Sequence, residues 1–251
     1  MPEVPSYRIF ASSQSASTAL AEDISQLIRS RDSEERTTVL GLATGNTPIQ
    51  LYKELIRMHR DGLSFRNVVT FNLDEYIGIA REHPESYWQF MHSHLFNHID
   101  INPENIHIPE GMVAADNIES HCSAYENQIE EAGGIDLQVL GIGRNGHIGF
   151  NEPGVSPDVA THATELNQVT INDAAEAFGG AADVPQRAIT MGVKTILGAQ
   201  RIALLAFGSS KADIVERALT SGITSEVPAT YLQSHNDTTF FLDQDAGKRL
   251  S

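Results

Sequence analysis

Apolar and polar residues along this chain follow two alternating patterns. Ser15–Arg31 places Ala16, Ala19, Leu20, Ile24, Leu27 and Ile28 on one side, the 3.6-residue spacing of an amphipathic helix. On either side of it lie short apolar runs, Tyr7–Phe10 and Thr37–Leu42, which read as strands. The alternation continues. Gly41–Thr47 forms a loop, Pro48 opens a helix running to about His59, and Val68–Leu73 is a strand with Asp74-Glu75-Tyr76 at its end. A helix follows from His83-Pro84-Glu85-Ser86 to about Phe96, then a short strand at Ile106–Ile108, a helix at Asn117–Ala132 and a strand at Ile135–Leu140. Strands at Ala188–Met191, Arg201–Phe207 and Thr238–Leu242 enclose helices at Val193–Leu197 and Lys211–Leu219. Such a succession predicts an α/β fold, doubly wound, with a mainly parallel sheet and helices on both faces. No repeat, low-complexity tract or linker interrupts it, so residues 1–251 read as one domain. Gly179-Gly180-Ala181-Ala182 reads as a loop, mobile at most.

Composition narrows the partners. The apolar fraction of 41% is that of a soluble globular protein, and 251 residues suffice for a sizeable core. A net charge of −16 argues against nucleic-acid or anionic-membrane surfaces, which need basic patches. It also requires any anionic ligand to be held by local donors against the overall field. The single cysteine, Cys122, excludes an intrachain disulfide and fits a reducing compartment; in a polar helical stretch it reads as a bland residue rather than a nucleophile. Met1-Pro2-Glu3-Val4-Pro5 has no basic or apolar leader character, and no run approaches the ~20 apolar residues of a membrane span. A cytoplasmic protein is expected.

The chemistry gathers after strand ends, where open α/β sheets bind ligands. Ile135–Leu140 empties into Gly141-Ile142-Gly143-Arg144-Asn145-Gly146-His147-Ile148-Gly149-Phe150-Asn151-Glu152-Pro153, a glycine loop bearing a titratable histidine and, five residues on, a glutamate able to orient it. Gly141, Gly143 and Gly146 have dinucleotide-binding spacing, with Glu165 where a ribose-binding acid would stand. The third glycine opens no helical period, however, and the loop ends in breakers, which speaks against a nucleotide. Gly41-Leu42-Ala43-Thr44-Gly45-Asn46-Thr47-Pro48 leads to a helix start and suits an oxyanion, the plainer alternative being a helix capped by Thr47. Gly208-Ser209-Ser210-Lys211 repeats the design with an ammonium in a first helical turn, where the helix dipole disfavours it; an anion there would explain it, a solvated lysine being the alternative. Asp74 and Glu75 end a buried strand, where a carboxylate is costly unless bonded or functional.

Taken together, Leu42–Pro48, Phe71-Asn72-Leu73-Asp74-Glu75-Tyr76, His83-Pro84-Glu85-Ser86-Tyr87, Gly141–Pro153 and Gly208-Ser209-Ser210-Lys211-Ala212 resemble the glucosamine-6-phosphate deaminase family, in order from about Arg8 to Leu242. The resemblance implies a modified Rossmann-like form of the doubly wound sheet, a single sugar-phosphate deaminase/isomerase domain, and no metal or organic cofactor. It implies conversion of glucosamine 6-phosphate and water to fructose 6-phosphate and ammonia. His147, oriented by Glu152 and by Asn145, would open the ring. Asp74 would move the proton from C2 to C1, and Thr44, Gly45, Asn46, Thr47 and Lys211 would hold the phosphate while Gly143 lets the backbone approach the sugar. The partner is then a small sugar phosphate; a homo-oligomer is left open. A lactone hydrolase related to the 6-phosphogluconolactonases, or a non-catalytic sugar-phosphate sensor, stands as the alternative.

Two features depart from the better-known enterobacterial pattern. Asn145 stands where those enzymes carry aspartate, and it can hydrogen-bond His147 but not stabilise an imidazolium by charge. Asn172–Phe178 lacks the arginine that many members supply to the phosphate, leaving Arg187 and Lys194 as substitutes beside Lys211. Gly154–Thr164 has no lysine or arginine for an activator phosphate, so no allosteric activation by N-acetylglucosamine 6-phosphate is expected. His92, His94 and His98 lack a third ligand or zincin glutamate and read as surface or interface residues.

Overall fold

The computed structural model describes residues 5–250, so the leader reading of Met1–Val4 lies outside the described residues. Seven parallel strands form the main sheet: β1 (Ser6–Phe10), β2 (Thr38–Leu42), β3 (Val68–Asn72), β5 (Ile106–His107), β6 (Leu137–Leu140), β9 (Arg201–Ala206) and β10 (Thr238–Asp243). Their spatial order is β1-β10-β9-β6-β2-β3-β5. The central strands are buried on both faces, which is why their sequences are nearly continuous apolar runs, broken by the buried Thr38 and Gln138, rather than alternating ones.

The two-residue period of a strand sorts these side chains between two cores. Leu40, Leu42, Leu137, Val139, Ala203 and Leu205 point to one face, where α1 (Ser13–Ser33), α2 (Ile49–Arg60) and α3 (Tyr87–His94) cover them. Val39, Phe71, Leu140, Ile202, Leu204 and Phe240 point to the other, under α4 (Ile118–Glu131), α6 (Val193–Leu197) and α7 (Ala212–Thr220). The doubly wound architecture is therefore as expected from the sequence. Cys122 is buried on α4, where burial pushes its thiol above the ordinary value, fitting a packing residue.

One feature departs from the sequence reading. Asp74–Tyr76 does not merely end β3; it is a separate strand, β4, pairing antiparallel with β8 (Arg187–Thr190), which pairs antiparallel with β7 (His162–Glu165). Ala188–Met191 thus belongs to a second, three-stranded sheet. A further helix, α5 (Gln168–Phe178), covers ground that shows little apolar period in sequence. Asn167 caps its start through Val169 N–H, and Gly179 ends it with φ at 81°, a left-handed conformation favouring glycine. The Gly179–Ala182 loop is in part that helix stop.

At the amino-terminal edge of the sheet, Asp136 is the charged counterpart of this packing. It accepts Val39 N–H at 2.8 Å and pairs with Arg31 of α1, both side chains nearly buried. Removing one partner of a buried pair strands the other charge, at about 3–5 kcal/mol. Asp136→Ala is expected to lower unfolding free energy by about that amount, read from urea denaturation midpoints; a change under about 1 kcal/mol would contradict this account.

Candidate active site

β2 and β6 are neighbours, yet the chain leaves them for opposite sides of the sheet, β2 for β3 and β6, by way of the small sheet, for β9. At such a switch point the loops beyond the strand ends splay apart and leave a crevice. A cavity of about 380 Å³ lies there, lined by Thr44–Thr47 after β2, Asp74 after β3, Gly141–Gly143 and His147 after β6, and Lys211 after β9. The four strand-end segments singled out in the sequence therefore meet in one place.

The turn after β2 leads straight into α2. Pro48 occupies the capping position and no side chain caps the helix, so Thr47 is not its N-cap. The first-turn N–H groups and the helix dipole are thus left to a ligand, as an anion site requires. Lys211 sits just ahead of α7 rather than in its first turn, and its Nζ donates to the Ile142 carbonyl at 2.7 Å. Two of its three N–H donors remain for a ligand. Arg187 is exposed at the start of β8 and Lys194 is exposed on α6, and neither lines the cavity.

His147 is held from behind. Its Nδ1 lies 3.5 Å from Glu152 Oε2 and 3.4 Å from Thr170 Oγ1. Asn145 donates its amide to Glu152 Oε2 at 2.8 Å and accepts the His147 N–H at 3.2 Å. Thr170 and the Asn167 N–H donate to Glu152 Oε1. Burial alone would raise the Glu152 pKa, but the donors and charge of His147, with Thr170 and Asn145, bring it down to about 2. Glu152 and Asn145 do not line the cavity; they form the frame behind the imidazole. Gly143 has a steric reason to be glycine: a Cβ there would lie 2.3 Å from the His147 ring.

Asp74 is 5% exposed, and burial followed by the neighbouring Glu75 charge raises its carboxyl well above the ordinary range. It opens onto the cavity beside Gly149, whose added Cβ would come 3.4 Å from Asp74 Oδ2 and 2.8 Å from Thr190 Oγ1. Glu75 points elsewhere, accepting the N–H groups of Tyr76, Tyr87 and Trp88 at 2.9, 3.0 and 3.0 Å. It clamps the start of α3; burial pushes its pKa up to about 7 against those donors, with Glu110 adding to the rise.

Several residues at the site escaped the sequence reading. Tyr76, Tyr87, Phe150 and Phe178 form an aromatic wall, with Tyr76 5.0, 5.4 and 5.3 Å from the other three rings. Thr170 and Asp173 come from α5, whose capping Asn167 and terminal Gly179 were its only strong signals. These histidines are used locally: on α3, His92 stacks on Trp88 and His94 packs against Phe90, and just beyond it His98 bonds the Ser93 carbonyl. Among the described residues, no helix is long and apolar enough to cross a membrane.

Residues 11–241 match the family model of glucosamine-6-phosphate isomerases and 6-phosphogluconolactonase. A glucosamine-6-phosphate deaminase of Thermoanaerobacter sp. (strain X514) is 48% identical over 92% of this chain and 91% of its own. One from Clostridium perfringens (strain 13 / Type A) is 48% identical over 95% of both. The solved structure of a monomeric glucosamine-6-phosphate deaminase superposes with a TM-score of 0.92 at 41% identity, covering 97% of this chain and 99% of that one. A 6-phosphogluconolactonase from Trypanosoma brucei, at 19% identity and a TM-score of 0.79 over 98% of this chain and 99% of its own, shares the fold. The chain belongs to the glucosamine-6-phosphate isomerase/6-phosphogluconolactonase family.

Proposed function

We propose that the chain is a glucosamine-6-phosphate deaminase, converting glucosamine 6-phosphate and water to fructose 6-phosphate and ammonia. The observation that carries this reading is the sharing of one cavity by a buried carboxyl, a carboxylate-backed imidazole and an uncapped helix start. The phosphate is held by the Thr44–Thr47 turn, the first N–H groups of α2 and Lys211. His147 takes the O1 proton and returns one to the ring oxygen, opening the sugar. Glu152 stays anionic and stabilises the imidazolium form, while Asn145 fixes the geometry without charge.

Asp74 then removes the C2 proton and delivers it to C1 through an enolamine. A carboxyl whose pKa is raised toward the working pH both accepts and returns that proton readily. Protonation at C1 leaves an iminium at C2; water adds there and ammonia leaves. The aromatic wall shields this chemistry from bulk solvent. Support for the substrate comes from the deaminases that are 48% identical over more than nine-tenths of the chain.

Wild-type protein incubated with glucosamine 6-phosphate is expected to release ammonia and fructose 6-phosphate in equal amounts; no product would sink the reading. Asp74→Asn is expected to lose roughly 10²- to 10⁴-fold in kcat. Because Asp74 acts as the deprotonated base, the acid limb of the kcat/KM profile should lie above 3.8, the ordinary value of its carboxyl. Glu152 works in the opposite sense. Its pKa falls from 4.5 to about 2 on folding, so it stabilises the fold above 4.5 and that contribution fades as the pH drops towards 2. Glu152→Gln should flatten the decline of the urea midpoint through that window, and an unchanged slope would show that the carboxylate is not held as described.

A further inference from the structure

The phosphate end has a gap in its charge. Lys211 is the only lysine or arginine lining the cavity among the described residues, while the aspartate Asp173 lines it as well. Asp173 lies one turn after Thr170 on α5, so both point from the same helix face. Arg144 follows Gly143, which also lines the cavity, and grips Asp173 with both arms of its fork: Nε donates to Oδ2 at 3.1 Å and Nη2 donates to Oδ1. That two-pronged grip is the one a guanidinium offers to a phosphoryl group. Lys211 belongs to the same group of charges. Burial pushes its pKa down, the Asp173 carboxylate pulls it back up, and the Arg144 charge adds to the fall.

We infer that Arg144 is the second cation of the phosphate end, and that Asp173 is an internal anion competing with the phosphoryl group for it. The inference rests on the proposed reading of this end as a phosphate site. Arg144 supplies positive charge from the glycine loop, facing the helix that carries Asp173. Arg144 and Asp173 side chains are 54% and 41% exposed, so a mere fastener between loop and helix would contribute little to stability. A competitor and a fastener predict opposite outcomes. In a fastener either loss loosens α5 and weakens the ligand. In a competition, losing the arginine weakens the ligand and losing the carboxylate strengthens it.

Inorganic phosphate, titrated calorimetrically into wild type, Arg144→Ala, Arg144→Lys and Asp173→Asn, separates them. Arg144→Ala should weaken phosphate about tenfold, a loss typical of one charge-assisted contact, with Arg144→Lys between it and wild type because it keeps the charge without the fork. Asp173→Asn should tighten phosphate about threefold or more, and KM for glucosamine 6-phosphate should follow the same order. Equal weakening by Arg144→Ala and Asp173→Asn, or no change in either, overturns the inference. The phosphate titration needs no turnover. Opposite shifts in a wild type that fails to deaminate would sink the deaminase reading alone, whereas a deaminating wild type with unmoved variants sinks the inference alone. An exposed pair leaves folding intact, and equal melting temperatures confirm that the comparison is between folded proteins.

Discussion

The site depends on the chain changing sheets at a single residue, Leu73. Its N–H donates to the Leu42 carbonyl at 3.0 Å, the last bond to the parallel sheet, and its carbonyl accepts the Met191 N–H at 2.7 Å, the first to the antiparallel one. Asn72 before it is fully buried, its carbonyl bonded by the Tyr125 hydroxyl at 2.7 Å. The joint cannot slide, because a slip of one residue would turn Asp74 from the cavity and place Glu75 there instead. With the register fixed, strand alternation sends the two neighbouring carboxylates to different tasks, one facing the cavity and the other gripping the first turn of α3. Burying either is unfavourable by itself, and the surrounding backbone bonds hold them in place.

An acidic protein that handles an anion has to separate scales of charge. The net charge of −16 sets a repulsive field at long range, which salt attenuates over roughly 10 Å. Inside the cavity the opposing elements are fixed dipoles and a partly buried ammonium, less screened and already oriented. The histidine frame shows the same economy. Asn145 serves as an uncharged strut where an aspartate would add a second negative charge beside Glu152, so a single carboxylate carries the field at the imidazole and three neighbouring groups donate to it.

Much of this could be read from residue order alone, for reasons that differ from element to element. The apolar runs of β2, β3, β6, β9 and β10, bounded by turn residues, read as buried strands, and the glycine-bearing loops after β2, β6 and β9 marked the ligand side. Of the small sheet only β8 was legible as a strand: β4 and β7 are short and largely polar, so neither shows an apolar run. Helix α5 is built largely from alanine and polar residues, so its inward face carries little apolar signal. Its Thr170 meets Glu152 across 18 positions, a contact that depends on how the helix folds back over the loop. Gly143 was expected to let the backbone approach a sugar; what the structure shows against it is the ring of His147, a neighbour that the sequence did not announce.

The pairing of β1 with β10 has a consequence for how the molecule is made. Ser6 Oγ donates to the Thr238 carbonyl across 232 positions, and five residues of β1 align in parallel with β10. Closing so long a loop is slow and entropically costly. During synthesis β1 has no partner in the sheet until β10 has followed it. Meanwhile α1 can already pack on α2, burying its apolar stripe while β1 trails free. Docking of that strand covers β10 and leaves β1 as the edge of the sheet, with Tyr7 and Ile9 still exposed on it.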